Sequence, residues 1–299
     1  MNNFKKIGLT ALAASLVSVS ANAGSLTISG AASMNVGGYS GQQHDGGATF
    51  SMGNQVTMSG SGELDNGMTV SISYQLDNAT TTPTGPFDDH SVTVSSDDMG
   101  SLTLYGHGGG SATSAMDATA AGNVWDTFDG ARGQVTAVGH SNSAPGNNSL
   151  MYTMPTIMDG VAVNVSYQPQ QSGNTIDSAI GYAVTYTGVE GLTLAYSSTD
   201  EVGTSSDLSG EQTAWKIAYV YGPVTATMTQ SEFDVVTTTA DQDVSSVAVS
   251  YTISDEMSVT YGTETIESTN SGHVDAEYTV LKGSYTSGGM TVSAQMKEA

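Results

Sequence analysis

The sequence contains no cysteine, which removes disulfide frameworks and thiolate metal sites from consideration. Charge is sparse, with only 12% of its 299 residues being Asp, Glu, Lys or Arg, well below the usual share. Positive charge is scarcer still: six basic residues stand against 29 acids. Lys5 and Lys6 lie in an N-terminal leader, so Arg132, Lys216, Lys282 and Lys297 alone oppose the 29 acids, a mature net charge of −25. Nucleic acid is thereby excluded as a partner, because almost nothing is present to neutralise phosphates. Such a polyanion attracts cations or stays dispersed in salt. Past the leader no run approaches 18 consecutive apolar residues, so no transmembrane helix is expected. No helical apolar period is sustained either, and leucine is scarce while serine and threonine are plentiful. The composition is all-β.

Residues 1–23 read as a secretory signal peptide: basic Lys5-Lys6, an apolar stretch from Ile7 to Val19, and the small-residue site Ala21-Asn22-Ala23. The mature chain is then 24–299, expected as a single β domain.

What the mature chain does have is two-residue alternation. Leu26, Ile28, Gly30, Ala32, Met34 and Val36 form one face of the first segment; Val70, Ile72, Tyr74 and Leu76 form one face of another. Val161, Val163, Val165 and Tyr167 repeat the pattern, as do Trp215, Ile217, Tyr219 and Tyr221. The opposite faces carry mainly Ser, Thr, Asn, Gln and Ala. A β-sandwich packs apolar faces together and shows Lys and Glu to solvent. A small, neutral polar face behind an apolar, aromatic-tipped one suits hydrocarbon outside and water inside a closed barrel.

The connections alternate in length. Short turns at 65–67, 97–100, 156–160, 188–191, 222–223, 254–256 and 287–289 separate long polar loops near 38–50, 78–88, 106–148, 170–177, 199–210, 234–242 and 268–274. Tyr186, Tyr221, Tyr251 and Tyr285 each precede a short turn closely, as an interfacial girdle would. The fold expected is a transmembrane antiparallel up-and-down β-barrel with about fifteen strands in this chain. Single-chain bacterial barrels have even numbers, so sixteen are expected and Ala299 reads as the end of a fragment. Lys216 lies on a polar face; the rotation of Lys282 is contested by Leu281 beside it.

The signal peptide, the opening segment 24-GSLTISGAASMNV-36, the strand-turn alternation and the long loop 106–148 after the fifth strand together resemble the general diffusion porins of Gram-negative bacteria, especially the alphaproteobacterial type. The resemblance spans the mature chain. It implies an outer-membrane homotrimer that passes small hydrophilic solutes, with the third long loop folded into the lumen as a constriction. Within 116-MDATAAGNVWDTFDGARG-133 it implies constriction acids Asp117, Asp126 and Asp129, a loop cation Arg132, and anchors Trp125 and Phe128. Lys216 and Lys282 would line the lumen wall. Some members hold calcium at such loops, so Asp117, Asp126 and Asp129 are candidate calcium ligands; no other cofactor is expected. Two departures stand out. The family's arginine cluster is missing from 51–64 and 67–77, and the terminal aromatic is replaced by Ala299. Carboxylates without opposing arginines favour cations.

Other readings are weaker. Gly106-His107-Gly108-Gly109-Gly110 lacks the Lys-Ser/Thr of a phosphate loop. His44, His90, His107, His140 and His273 have no local zinc spacing, although folding can bring some together. No serine-hydrolase motif appears, so no enzyme is expected. A surface barrel serving as an adhesin is the alternative from another class.

Overall fold

The computed structural model describes residues 26–38, 48–77, 88–116, 118–128, 147–169, 176–203, 210–235, 241–269, 275–288 and 290–299. The leader, Asp117, Asp129 and Arg132 lie outside them.

Fifteen strands form one antiparallel sheet in chain order, each paired with its sequence neighbours. They are β1 (Thr27–Gly38), β2 (Ala48–Glu63), β3 (Thr69–Asp77), β4 (Asp89–Ser96), β5 (Gly100–His107), β6 (Ser149–Thr153), β7 (Val161–Gln168) and β8 (Ile176–Val189). The series continues with β9 (Leu192–Gly203), β10 (Gly210–Tyr221), β11 (Val224–Val235), β12 (Gln242–Ser254), β13 (Met257–Ser268), β14 (Ala276–Ser287) and β15 (Met290–Glu298). This is the up-and-down barrel wall expected from the alternation. Its elements match the expected segments closely, except that β2, β8 and β9 run further into the flanking loops. Among the described residues no helix is long and apolar enough to cross a membrane, which says nothing about strands.

Register puts most apolar positions of neighbouring strands on one face. In β12–β13, Val247 faces Thr263, Val249 faces Tyr261 and Tyr251 faces Val259. Tyr261 then faces Leu281, which faces Met296. Val247, Val249, Tyr251, Tyr261, Leu281 and Met296 are exposed. The other face carries Ser, Thr and Gln rows such as Thr93–Thr103 and Ser250–Thr260, whose hydroxyls bond across strands at 2.8 and 2.6 Å. Of the tyrosines before short turns, Tyr221, Tyr251 and Tyr285 are exposed on the apolar face.

Short turns are tight because glycine permits them. Gly100 has φ +74° and an added Cβ would lie 2.2 Å from the Thr153 carbonyl oxygen, so only glycine closes the β4–β5 turn. Among the described residues, the long segment after β5 contains two single 3-10 turns, Ser114–Met116 and Val124–Thr127. Its described residues within 112–128 lie on the polar face, and their partners are spread from β7 to β15. A short segment touches so many strands only if the sheet curls around it.

Candidate functional site

The site is a row of wall residues and the loop that docks on it. Cross-strand register aligns Lys216, Thr229, Ser246, Glu264 and Tyr278 on successive strands β10 to β14. Each belongs to the polar face. The loop residues 119–128 bind along this row.

The loop enters beside β7 and β9. The Ala112 amide donates to Ser166 Oγ at 2.8 Å, and Thr113 shares a 2.9 Å hydrogen bond with Thr199, both hydroxyls being buried. Further on, the Ala120 amide donates to Thr229 Oγ1 and the Ala121 amide to Ser246 Oγ, each at 2.9 Å. Ser246 Oγ in turn donates to the Thr263 carbonyl at 2.8 Å. Backbone donors that secondary structure leaves free are thus satisfied by wall hydroxyls, as burial requires. The approach is close: an added Cβ at Gly262 would lie 2.9 Å from Ala121 Cβ and 3.0 Å from its Cα. Glycine at 262 is what lets the loop lie flat on β13.

Glu264 holds the loop from the wall. It is 1% exposed, and Thr119 Oγ1 donates to its Oε2 at 2.6 Å while the Trp125 amide donates to its Oε1 at 2.5 Å. A buried carboxylate is costly unless hydrogen-bonded, and both bonds come from the loop. The loop is preshaped to offer them. Asn123, in the left-handed region at φ 53°, accepts from the Thr119 amide at 2.9 Å and donates its own amide to Thr119 Oγ1 at 2.8 Å.

Next to Glu264 the wet face turns apolar. Val244, Ile266, Tyr278 and Val280 form a buried cluster with the fully buried loop residue Val124, and Trp125 and Phe128 pack against it. The Phe128 ring stacks on Tyr278 with centroids 5.6 Å apart. Lys297 Nζ donates to Thr127 Oγ1, fastening the loop to β15.

The structure therefore places Trp125 and Phe128 against the wall. Lys216 and Lys282 share the polar face, since Lys282 pairs with Thr260 and Leu281 with Tyr261. Asp126 is exposed in the second 3-10 turn. Asp117, Asp129 and Arg132 lie outside the described residues, so only one of the three candidate calcium ligands is placed. Glu264 is the residue that sequence reading missed. The available signal was apolar Val244, Ile266 and Val280 on the parity reserved for polar groups, which marks a place where something docks.

Polar-face residues of β8–β14 beneath the loop are buried, whereas those of β2–β5 are at most half-buried.

A wall apolar outside and polar inside, crossed by a loop fastened to its inner face, is an outer-membrane β-barrel channel. The family model of the Gram-negative porins matches residues 8–298, and the chain belongs to that family. Solved porin structures share the fold. One porin refined at 1.8 Å gives a TM-score of 0.66 at 17% identity, covering 92% of this chain and 95% of its own. The anion-selective porin from Comamonas acidovorans gives 0.66 at 13% identity over 91% and 88% of the two chains. A triple mutant of the Rhodopseudomonas blastica porin gives 0.64 at 15% identity over 91% and 94%. No curated protein sequence matches. The protein is located in the outer membrane, crossing it with β-strands.

Proposed function

We propose that this porin passes small hydrophilic solutes and ions by passive diffusion, with a preference for cations, and that it does so as a homotrimer. The observation that carries the reading is the loop docked on the Lys216–Tyr278 row, which narrows an otherwise polar tube. Solutes are sorted by size at this level, and the acids of the loop set the field. Asp126 is exposed there; Asp117 and Asp129 flank it in sequence and Arg132 is the loop's single cation. Trp125 and Phe128 act as anchors of this constriction, with Lys216 and Lys282 as its cationic wall.

Cation preference rests on the charge balance. Four basic residues against 29 acids give the pore water a negative potential that concentrates counter-ions. The Comamonas porin is described as anion-selective, but at 13% identity the likeness carries the fold alone. Refolded full-length protein in a planar bilayer should give stepwise conductance, and a potassium chloride gradient should give a reversal potential of the cation-selective sign. An anion-selective sign defeats the preference; the absence of conductance steps defeats the pore.

A further inference from the structure

We propose a divalent transition-metal site, of the zinc type, where β4 begins and β5 ends at the root of the long loop. Its ligands are Asp88, Asp89 and His107. One carboxylate oxygen from each aspartate and an imidazole nitrogen lie within 4.8 Å of one another. His107 Nδ1 stands 3.6 Å from Asp89 Oδ1. That is too long for a hydrogen bond and close to the separation of about 3.4 Å that two ligands take at about 2.1 Å from a tetrahedral ion.

Backbone irregularity creates this arrangement. The β4–β5 register slips at this end: Ser91 faces Tyr105, whereas His90 faces His107, so Gly106 is an extra residue on β5. A bulge of this kind re-aims the side chain that follows it. Glycines on both sides of His107 make the room. A Cβ at Gly106 would lie 2.0 Å from His90 Nε2, and one at Gly108, which has φ +66°, would overlap the Asp89 carboxylate. The Gly108 amide is held by Asn147 Oδ1 at 3.0 Å.

A second observation concerns the nitrogens. Nδ1 of His107 is shielded from solvent and has no hydrogen-bond partner, although the ring is partly exposed. His107 Nδ1 is turned towards Asp89 while making no hydrogen bond of its own. A nitrogen with two carboxylates suits borderline ions such as zinc, whereas calcium and magnesium take all-oxygen sets. Three protein ligands leave a position for water. The bound ion would tie the residues before β4 to the loop's root and offset two carboxylates at the rim.

The test is equilibrium dialysis of the refolded full-length protein against zinc chloride, with zinc measured per chain. One zinc ion per chain is expected, at micromolar affinity, undiminished by a hundredfold excess of calcium. His107→Gln and Asp89→Asn should each weaken it at least tenfold, while His140→Ala leaves it unchanged. Far-UV circular dichroism checks that each variant keeps its strands; Asp88→Asn replaces either variant that does not. Absence of saturable zinc binding overturns the proposal. So does zinc binding that survives His107→Gln, or that calcium displaces at equal concentration. The assay needs no ion flow, so its result is independent of the conduction reading.

Discussion

Replacing Glu264 should free the constriction loop while leaving the barrel intact. Glu264→Ala removes the acceptor of two loop hydrogen bonds, from Thr119 Oγ1 and the Trp125 amide, and leaves both donors at a buried site. Hydrogen bonds to a carboxylate contribute about 1.5–3 kcal/mol each, so losing both weakens docking by about 3–6 kcal/mol. Every 1.4 kcal/mol is about a factor of ten in population, so the undocked loop gains about two orders of magnitude or more. Glu264→Gln keeps one acceptor oxygen and should lose about one bond, a shift of one to two orders. The strands on either side of Glu264 keep their ladder bonds to β12 and β14. Two measurements read this. Hydrogen exchange at the Trp125 amide should accelerate in the order wild type, Gln, Ala, while amides of β12 hold their protection. Single-channel recordings should show added current noise and higher sublevels in the same order. Unchanged Trp125 exchange and unchanged noise in Glu264→Ala would refute the clasp. Loss of β12 protection along with Trp125 would show instead that Glu264 supports the barrel as a whole.

Phe128→Ala deletes the stack of a partly buried ring on Tyr278 and should cost about 1–3 kcal/mol of loop docking, read as faster exchange at Trp125 with the barrel's unfolding midpoint nearly unmoved. Gly262→Val forces a side chain against Ala121, so the loop must lift; single-channel conductance should change in a protein that still refolds. Lys282→Glu replaces a cation on the polar face by an acid and should move the salt-gradient reversal potential further towards the cation limit, whereas Leu281→Gln next to it, on the apolar face, should not. Val249→Arg puts a charge on the lipid face and should destabilise the folded barrel by about 2–4 kcal/mol in urea titration, far more than Ser250→Arg on the polar face.

The wall was legible in the sequence because its signal is local. A period of two over eight residues fixes which side chains share a face, and glycine-bearing turns such as Asp65-Asn66-Gly67 fix where strands end. The loop's fastening was not legible, for two physical reasons. Its partners are remote in sequence: Thr119 meets Glu264 and Thr127 meets Lys297 only after the sheet has curled. They are also chemically ordinary, since the hydroxyls of Ser166, Thr199, Thr229 and Ser246 are of the kind that keeps the rest of the lumen wet. Their role comes from register and not from type. The same holds for His90 and His107, seventeen positions apart without metal spacing, yet opposite each other across β4–β5. Trp125 and Phe128 stood out as the aromatics of a polar loop, so the sequence pointed to the anchors but not to what they grip.

The outward face also fixes how deep that grip lies. Near the long loops, acids face acids across the strands: Glu211 lies between Asp200 and Asp234, and Asp243 between Glu232 and Glu267. All six are exposed, and like charges in direct opposition are tolerable only where water and salt screen them. This rim therefore marks the outer edge of the hydrocarbon. Along β12 the apolar face runs from Ile253 by the short turn back towards Asp243. Those ten steps measure about 34 Å along the strand and, at a tilt of about 40°, about 26 Å across the bilayer, close to the apolar band of about 25 Å. Ser246 and Glu264 lie three residues inside the rim acids Asp243 and Glu267, about 8 Å below them at the same rise and tilt. The loop thus crosses the lumen in the outer third of the membrane, behind a wall backed by lipid. No solvent reaches the loop amides from that side. The hydroxyls of Thr229 and Ser246 and the carboxylate of Glu264 are the wall acceptors these amides use, and removing any one costs a part-buried donor its partner.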